Sequence, residues 1–461
     1  MSFTRRTFLI GAGTGISVLA LAACTVPDPT PSPTPTRSSP FAVPEPAKLW
    51  RSSWSADPFA KGAVSYLPVG STPEDRAALR VPLQDRVFFA GEATSDAPGT
   101  VKGAIASGAR AAREVMDAVT TNERIAIVGA GAAGAEAARL LTALGLEVIV
   151  VEARDRVGGR IDSRSDDDTS FELGAWRLAS EGDSSLVADL DTVPLEGDLA
   201  LPGATATAAA TAGLAELTAI AAAVSARLEV WASEQSATDT GLTTGLEESG
   251  ASGAAGAAGD IPPESMPALY AEAARIAAGA DPADISTWFP PAGLGEASVL
   301  PTSALSAIVI SSLDGVTVAL STAVVAIAYD DEGVSLRLGT GDSRRVDRVI
   351  VTLPLGVLKS GAVGFDPPLP LSTRSAIDAV GVGDVELVRV AFEEAFWTTD
   401  ATVWSLVGTE APIATWINLQ PLTGETTLLG IAAGEAAASL SDLDDAALSR
   451  MVREQLAPFA S

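Results

Sequence analysis

A glycine-rich turn between two apolar segments constrains the fold of this chain more than any other feature of its sequence. The pattern of Ile125–Val128 indicates a short buried strand, and Gly129, Gly131 and Gly134 follow it as a G-x-G-x-x-G motif. A stretch rich in Ala and Leu comes next, and a second apolar strand pattern, Glu147–Val151, follows that stretch. This order is typical of the βαβ unit that binds a dinucleotide.

Each glycine of the motif has a physical task. The first permits a tight turn, the second lets the backbone approach a pyrophosphate, and the third allows the helix to pack closely on the strand. The N-terminus of the helix offers N–H groups to the phosphates. Glu152 directly follows the second strand, where a carboxylate can accept the hydroxyl groups of a ribose. The sequence therefore predicts a Rossmann-type dinucleotide-binding domain.

The composition excludes several kinds of catalytic site. The 461 residues include no histidine and a single cysteine, Cys24. Histidine-dependent triads, histidine metal sites and cysteine-cluster metal sites are therefore excluded, and no intrachain disulfide can form. The net charge of −28 at pH 7 disfavours nucleic acid as a partner. We expect no metal and predict that the chemistry comes from an organic cofactor.

The start of the chain has the composition of an export signal and a spacer. Arg5 and Arg6 precede a weakly apolar stretch that ends in L-A-A-C at Cys24, which resembles a twin-arginine lipoprotein signal. An ordinary secretory signal or a short anchor helix is the alternative. The next residues are rich in Pro, Ser and Thr and indicate an extended spacer. We predict a signal over residues 1–23, a tether over 24–47, and a protein held at the outer face of the cell membrane by a lipid on Cys24.

The run that follows the second strand distinguishes between dinucleotides. From Glu152 to Arg160 it has the sequence E-A-R-D-R-V-G-G-R. This run resembles the second fingerprint of the FAD-containing amine oxidase superfamily, in which the glycines let the chain pass the pyrophosphate and the arginine neutralises its charge. NAD dehydrogenases have no reason for such a run, so FAD is the predicted cofactor.

Further segments resemble the same family, but their order differs from the family's. Residues 348–370 and Val316–Ile327 resemble two of its late segments. The family's C-terminal segment resembles Val87–Thr94 (VFFAGEAT) and Gly99–Val115, which here precede the glycine motif. The resemblance therefore implies a circular permutation in which the C-terminal FAD segment has moved to the front.

The predicted fold class is α/β with α+β elements: a Rossmann-type FAD-binding domain plus a mixed sheet-and-helix substrate domain, circularly permuted. Residues 48–118 are expected to complete the FAD-binding domain, which continues over 119–188 and 298–376. The helical part of the substrate domain is expected over 189–297 and its sheet part over 377–461. The sequence does not predict an oligomeric state.

The resemblance also implies which residues surround the FAD. Glu92 would lie beside the ribityl chain and a phosphate, and backbone N–H groups near Thr100 and Val101 would face flavin N1 and O2. The implied cofactor-binding residues are Gly129, Gly131, Ala133, Gly134, Glu152, Ala153, Arg154, Gly159, Arg160, Gly174, Ala175, Trp176, Arg177, Val324, Gly91, Glu92, Thr100 and Val101.

The residues expected near the substrate depart from the family pattern. Trp54 matches an aromatic residue in front of the flavin, and core packing is its alternative role. Leu387 replaces a lysine that contacts flavin N5 through a water in many members. Val64 and Thr100 replace the two tyrosines that form the aromatic cage of monoamine oxidases. Ala63 stands where those enzymes carry the cysteine that tethers the flavin, so the FAD is predicted to be noncovalent.

One run indicates the type of substrate. Phe171–Leu178 has the sequence FELGAWRL, which resembles a motif of L-amino acid oxidases whose arginine binds the substrate carboxylate. Here that arginine is Arg177, and a guanidinium suits a carboxylate because it donates two parallel hydrogen bonds. The alternative is that Arg177 serves the fold or the FAD, for example by pairing with an internal acid such as Glu172 or Glu386.

The resemblance implies an FAD-dependent oxidoreductase that oxidises a C–N bond of an amine or L-amino acid. A hydride would pass to the FAD, the imine would be hydrolysed, and O2 or another acceptor would reoxidise the flavin. A desaturase-like FAD dehydrogenase on the same fold is one alternative. A catalytically silent FAD-binding surface lipoprotein is the other, because the family lysine is absent at Leu387.

Overall fold

The glycine motif follows the central strand of a five-stranded parallel sheet in the computed structural model. In order across the sheet, the strands are β13 (Thr317–Ala319), β5 (Glu147–Val151), β4 (Arg124–Val128), β17 (Arg348–Val351) and β3 (Val87–Phe89). Along β4, Ile125 and Ile127 pack into one apolar layer while Ala126 and Val128 pack into the layer on the other face. A parallel sheet that is covered on both faces is typical of the predicted α/β class.

The structure describes residues 42–120, 123–166, 169–180, 186, 188–202, 209–234, 238–254, 256–291, 294 and 296–460. The predicted signal, Cys24 and most of the tether lie outside these residues. Among the described helices, none is long and apolar enough to cross a membrane.

The segment before the glycine motif contributes directly to this sheet. Strand β3 pairs in parallel with β17 at the sheet edge, with Val87 opposite Val349. Helix α2, Val101–Ala118, packs against helix α3, Ala132–Ala143. The helices approach closely because Gly108 has no side chain: a Cβ there would lie 2.1 Å from the carbonyl oxygen of Ala133. Strand β3 and helix α2 therefore lie in the layer that carries the glycine motif, and the displacement of their segment relative to the family order stays a prediction.

A second, mixed sheet has seven strands. In order across the sheet they are β1 (Lys48–Arg51), β20 (Val385–Ala391), β23 (Thr427–Ala433), β22 (Thr415–Asn418), β21 (Val403–Ser405), β10 (Asp198–Leu201) and β11 (Ala210–Gly213). The domain limits differ here from those expected. Strand β1, expected in the FAD-binding domain, and strands β10 and β11, expected in a helical region, all join this sheet. Their positions depend on pairing with strands far along the chain, such as Leu49 opposite Val390.

The other described strands form small sheets. One has the order β16-β15-β14-β18, with Ser343–Val346, Gly333–Leu338, Val324–Asp330 and Gly364–Asp366. Another has the order β8-β12-β9, with Leu178–Ala179, Ser298–Pro301 and Thr192–Pro194. Two pairs complete the set: β19 with β2 (Gly381–Gly383, Val64–Tyr66) and β6 with β7 (Ser163–Asp166, Thr169–Glu172).

Helices from the middle of the chain cover the seven-stranded sheet. Helix α4, Leu214–Glu234, and helix α7, Met266–Ala278, share an apolar cluster with Ile417 and Ile431 of that sheet. The remaining described helices are α1 Pro73–Ala78, α5 Leu242–Glu248, α6 Ala251–Ala254, α8 Ser306–Ser312, α9 Leu355–Lys359, α10 Leu371–Ala379, α11 Gln420–Thr423, α12 Glu435–Leu440 and α13 Asp445–Gln455.

Both ends of the described chain meet in one apolar core. Val43 is fully buried in the cluster that also contains Phe459. The Nε of Arg453 donates a hydrogen bond of 3.0 Å to the carbonyl oxygen of Val43. Leu49 on β1 is half-buried and pairs with Val390 of β20.

Candidate functional site

A cavity of about 1230 Å³ connects the glycine motif with the helices that cover the seven-stranded sheet. The glycine turn, the start of α2 and the run after β5 line one part of it. Helices α4 and α7 and strand β20 line the other part. A cavity of this size that joins a dinucleotide-binding turn to a largely apolar compartment has the form expected of a cofactor-dependent active site.

The glycine turn is shaped as its sequence predicts. Gly129 has a φ of +107°, which favours glycine, and a Cβ at this position would lie 2.4 Å from the side chain of Thr352. At Gly134 a Cβ would lie 2.0 Å from the carbonyl oxygen of Gly129, so any side chain would push α3 away from β4. Helix α3 begins at Ala132, and its first N–H groups, which lack partners within the helix, lie beside the cavity.

Glu152 is a fixed acceptor at the end of β5. Its side chain is buried, and its two oxygens accept hydrogen bonds from Ala130 N at 2.7 Å and Arg154 N at 2.8 Å. Each carboxylate oxygen has two lone pairs, so capacity remains for hydroxyl donors within the cavity. This geometry suits the ribose hydroxyls of a dinucleotide.

A buried polar network lies midway along the cavity. Oε1 of Glu92 accepts hydrogen bonds from Ser65 N, Ser65 Oγ and Gly99 N at 3.1, 2.6 and 2.8 Å. Arg160 approaches the other carboxylate oxygen at 3.4 Å and donates to Ala63 O at 2.8 Å. Behind them, burial lowers the pKa of Arg76, and the charge of Glu92 opposes that shift. The network thus holds a cation, Arg160, at the cavity wall.

Helix α2 starts at the same cavity. Thr100 is its N-cap and accepts a hydrogen bond from Gly103 N at 2.9 Å. Thr100, Val101 and Lys102 line the cavity, so the positive end of the helix faces it. Negative charge in this part of the cavity is therefore stabilised.

The structure brings nearly all sequence-predicted site residues to this cavity. Of the implied cofactor-binding residues, only Gly134 does not line it, since it lies in the contact between α3 and β4. Trp54, Ala63, Val64 and Leu387 line it as well. Leu387 is 1% exposed and packs in the apolar cluster beneath α4 and α7.

Arg177 lines the cavity and forms no salt bridge with an acid among the described residues. Its Nη1 donates to Ser298 Oγ at 3.3 Å, and its guanidinium lies 5.3 Å from the centre of the Trp176 ring. Burial lowers the pKa of Arg177, and the charge of Glu296, which lines the same cavity, opposes that shift. A guanidinium placed in this way can bind an anion that enters the cavity.

The two acids expected as alternative partners of Arg177 bond elsewhere. Glu172 accepts hydrogen bonds from Ser163 Oγ at 2.6 Å and Leu305 N at 2.8 Å. Glu386 accepts from the turn that contains Trp54. Neither forms a salt bridge with Arg177 in the described part of the chain, so the proposed internal pairing is absent there.

Sequence reasoning missed most of the cavity wall opposite the glycine turn. The side chains there include Ser225 and Glu229 of α4, Ile276 of α7, Tyr66 of β2, and Trp288 and Phe289 in the chain after α7. Ser225 Oγ lies 2.9 Å from the hydroxyl of Tyr270, which is 3% exposed. The alanine-rich helices carry no motif, and a repeat of buried positions on α4 and α7 would have been the only signal.

Comparison with known proteins identifies the family. Residues 34–116 and 284–460, more than half of the chain, match the family described as flavin containing amine oxidoreductase. The chain belongs to the flavin-containing amine oxidoreductase family. Residues 127–190 match an NAD(P)-binding Rossmann-like domain, which contains the glycine turn. Membership confirms the predicted family, the mixed α/β fold and FAD as the cofactor.

Two relatives are polyamine oxidases by name. The chain is 36% identical over 110 residues to a probable polyamine oxidase 4 of Arabidopsis thaliana, covering 24% of this chain and 22% of that protein. It is 27% identical over 352 residues to polyamine oxidase 4 of Oryza sativa subsp. japonica, covering 70% of this chain and 69% of that protein. The structure of a cyclohexylamine oxidase from Brevibacterium oxydans IH-35A superposes with a TM-score of 0.54 at 19% identity, covering 74% of this chain and 82% of that one. The last similarity supports the fold alone.

The residues of the cavity fit an FAD. Two helix N-termini, at Ala132 and Val101, and the cation of Arg160 supply donors and positive charge suited to a diphosphate. Glu152 supplies the acceptor suited to ribose hydroxyls. Because Gly131 and Gly159 carry no side chains, the backbone itself can approach a phosphate there.

Proposed function

We propose that this protein oxidises the C–N bond of a small amine that carries a carboxylate, such as an L-amino acid. When bound, FAD supplies the acceptor for a hydride from the carbon beside the nitrogen. The observation that carries the proposal is the position of Arg177: it lines the cavity that holds the dinucleotide turn and forms no salt bridge with an acid among the described residues.

The protein's own residues would contribute binding and orientation. Arg177 would bind the carboxylate and so fix the substrate, while Trp176 and Trp288 would exclude water from the reacting bond. The positive end of α2 would stabilise negative charge that develops in the adjacent part of the cavity. Hydrolysis of the imine to a carbonyl compound and ammonia needs only water, and O2 or another acceptor would take the electrons.

An anaerobic titration of the purified protein with a panel of L-amino acids and simple amines tests this function. We expect L-amino acids to bleach the flavin absorbance and amines without a carboxylate to do so poorly. Bleaching by amines alone would contradict the proposed substrate class. A flavin that nothing in either panel bleaches would favour the catalytically silent alternative, which the apolar burial of Leu387 supports.

Acid precipitation is expected to release all of the yellow colour into the supernatant. Ala63 lines the cavity where a tethering cysteine would be needed, and the chain's single cysteine is Cys24. The absorbance of the supernatant and the pellet at the flavin maximum measures the outcome. Flavin that stays in a washed pellet would contradict noncovalent binding.

We further propose export by the twin-arginine route and attachment to the outer face of the cell membrane through a lipid on Cys24. The support is the sequence alone, with the L-A-A-C run after the paired arginines. Cys24→Ala should convert a protein that needs detergent for extraction into one that is freely soluble. Fractionation of cells expressing either form, with immunoblotting, measures this. A wild type found free outside the cell would contradict the lipid anchor.

A further inference from the structure

A buried carboxylate lies directly behind the cavity wall. Glu386 is 2% exposed and forms no salt bridge within the described residues. Its neighbour on β20, Leu387, lines the cavity, and side chains alternate along a strand, so the carboxylate lies on the face of the sheet away from the cavity. Burying a carboxylate without a cation is costly unless hydrogen bonds compensate it. The buried carboxylate of Glu386 must therefore be stabilised by hydrogen bonds from other parts of the chain.

The donors to Glu386 all come from one turn of the chain. Ser52 Oγ donates to Oε2 at 2.5 Å, and Trp54 N donates to Oε1 at 2.6 Å. Ser55 approaches Oε1 with its amide at 3.3 Å and its hydroxyl at 3.4 Å. Ser52 Oγ in turn accepts a hydrogen bond of 2.8 Å from Leu387 N. An ionised carboxylate accepts only, so it can satisfy this set of donors, whereas an amide could not.

The residue at the centre of this turn reaches the cavity. Trp54 is 5% exposed, lines the cavity, and donates from its indole nitrogen to Leu173 O at 3.0 Å. Its own carbonyl accepts from Gly62 N at 3.0 Å. The backbone hydrogen bond to Glu386 thus completes a three-point attachment of Trp54. Of the three, the bond to the carboxylate is the shortest, at 2.6 Å.

We propose that Glu386 is a positioning residue that sets the place of the Trp54 indole in the cavity wall. Its carboxylate holds the Ser52–Ser55 turn from behind the sheet, and the indole projects from that turn into the cavity. The hydrogen bond between Ser55 Oγ and Ser441 Oγ, 3.2 Å apart, ties the same turn to α12. Any effect on turnover rests on the proposed function, whereas the effect on the turn does not.

Hydrogen exchange of the FAD-bound protein tests the attachment without turnover. In Glu386→Leu we expect the amides of Trp54 and Ser55 to exchange about 10- to 100-fold faster, the size expected when a buried donor loses its hydrogen-bond acceptor. Glu386→Gln keeps the shape and one acceptor, so it should show a smaller increase and guards against misfolding of the leucine variant. Glu272→Gln, a buried acid on α7 without contact to Trp54, is the matched control and should leave these amides unchanged. Unchanged exchange in both Glu386 variants would overturn the proposal.

A double-mutant cycle tests whether Glu386 acts through the indole. With the best substrate of the panel, Glu386→Leu should slow flavin reduction by about 10- to 100-fold in the wild-type background, because small displacements near a reacting bond are costly. In a Trp54→Ala background there is no indole to position, so Glu386→Leu should slow flavin reduction by less than about a further twofold. Equal losses in both backgrounds would overturn the proposal and leave Glu386 a role in the fold alone. If no compound reduces the flavin, the proposed function fails, and the exchange rates alone decide on Glu386.

Discussion

Arg177→Ala is expected to slow reduction of the bound flavin by L-amino acids by about 100- to 1000-fold while the FAD stays bound. A 100- to 1000-fold loss corresponds to about 3–4 kcal/mol, which lies within the cost of about 2–5 kcal/mol for removing one partner of a desolvated charge pair. In the free protein Arg177 bonds to Ser298 Oγ and stacks beside Trp176, so the loss of its side chain should leave the fold intact. Stopped-flow absorbance under anaerobic conditions gives the rate, and the flavin-to-protein ratio gives the occupancy.

Two controls separate substrate binding from a general defect. Simple amines, which offer no carboxylate, should be affected far less by the same substitution. Arg164→Ala removes an arginine of the neighbouring strand β6 that is 54% exposed and does not line the cavity, and it should change neither rate. If the rate of flavin reduction fell equally for amines and amino acids, Arg177 would not bind the substrate carboxylate. The same would follow if amino acids failed to reduce the wild type.

Arg348→Met is expected to lower the free energy of unfolding by about 3–5 kcal/mol, because it leaves a buried carboxylate without its cationic partner. Arg348 is 4% exposed, and its guanidinium contacts both oxygens of Glu123, at 2.5 and 3.0 Å. It also donates to Ala118 O at 2.6 Å and to Asp85 O. One side chain on β17 therefore joins the end of α2, the residue before β4 and the turn before β3. Urea unfolding followed by circular dichroism measures the change.

An arginine nearby on the edge strand provides the comparison. Arg345 on β16 has a side chain that is 74% exposed and lies 3.9 Å from Glu332, so Arg345→Met should cost less than about 1 kcal/mol. Replacing both members of the buried pair, in Arg348→Met with Glu123→Leu, should recover much of the lost stability. If Arg348→Met were no more harmful than Arg345→Met, the buried pair would not hold these elements together.

The same pair predicts a pH dependence. Burial alone would raise the pKa of Glu123, but hydrogen bonds from Arg348 and Thr120 and the charge of Arg348 lower it overall. A carboxyl whose pKa is lowered by folding contributes stability above its unfolded pKa and loses it as the pH falls through the folded pKa. The difference between wild type and Arg348→Met should therefore shrink in that acidic range.

Local chemistry explains why the dinucleotide end of the site could be predicted. Gly129 needs its positive φ, Gly134 has no room for a Cβ, and Glu152 comes directly after its strand. Each of these requirements acts within one βαβ unit, so a short stretch of sequence carries it. The family resemblance extended the prediction to Glu92 and Thr100, which line the same cavity.

The substrate side depended on tertiary structure. Ser225 and Trp288 reach the cavity from segments whose sequences carry no site motif, and only the packing of helices on the seven-stranded sheet brings them there. Glu386 follows the same rule: its partners lie more than 300 residues away along the chain. The sequence by itself determined the cofactor-binding unit and the family, because those depend on local backbone requirements. The tertiary structure decided that Arg177 forms no salt bridge with an acid among the described residues and that Glu386 bonds to Trp54, because hydrogen bonds between distant segments exist only once the sheets have paired.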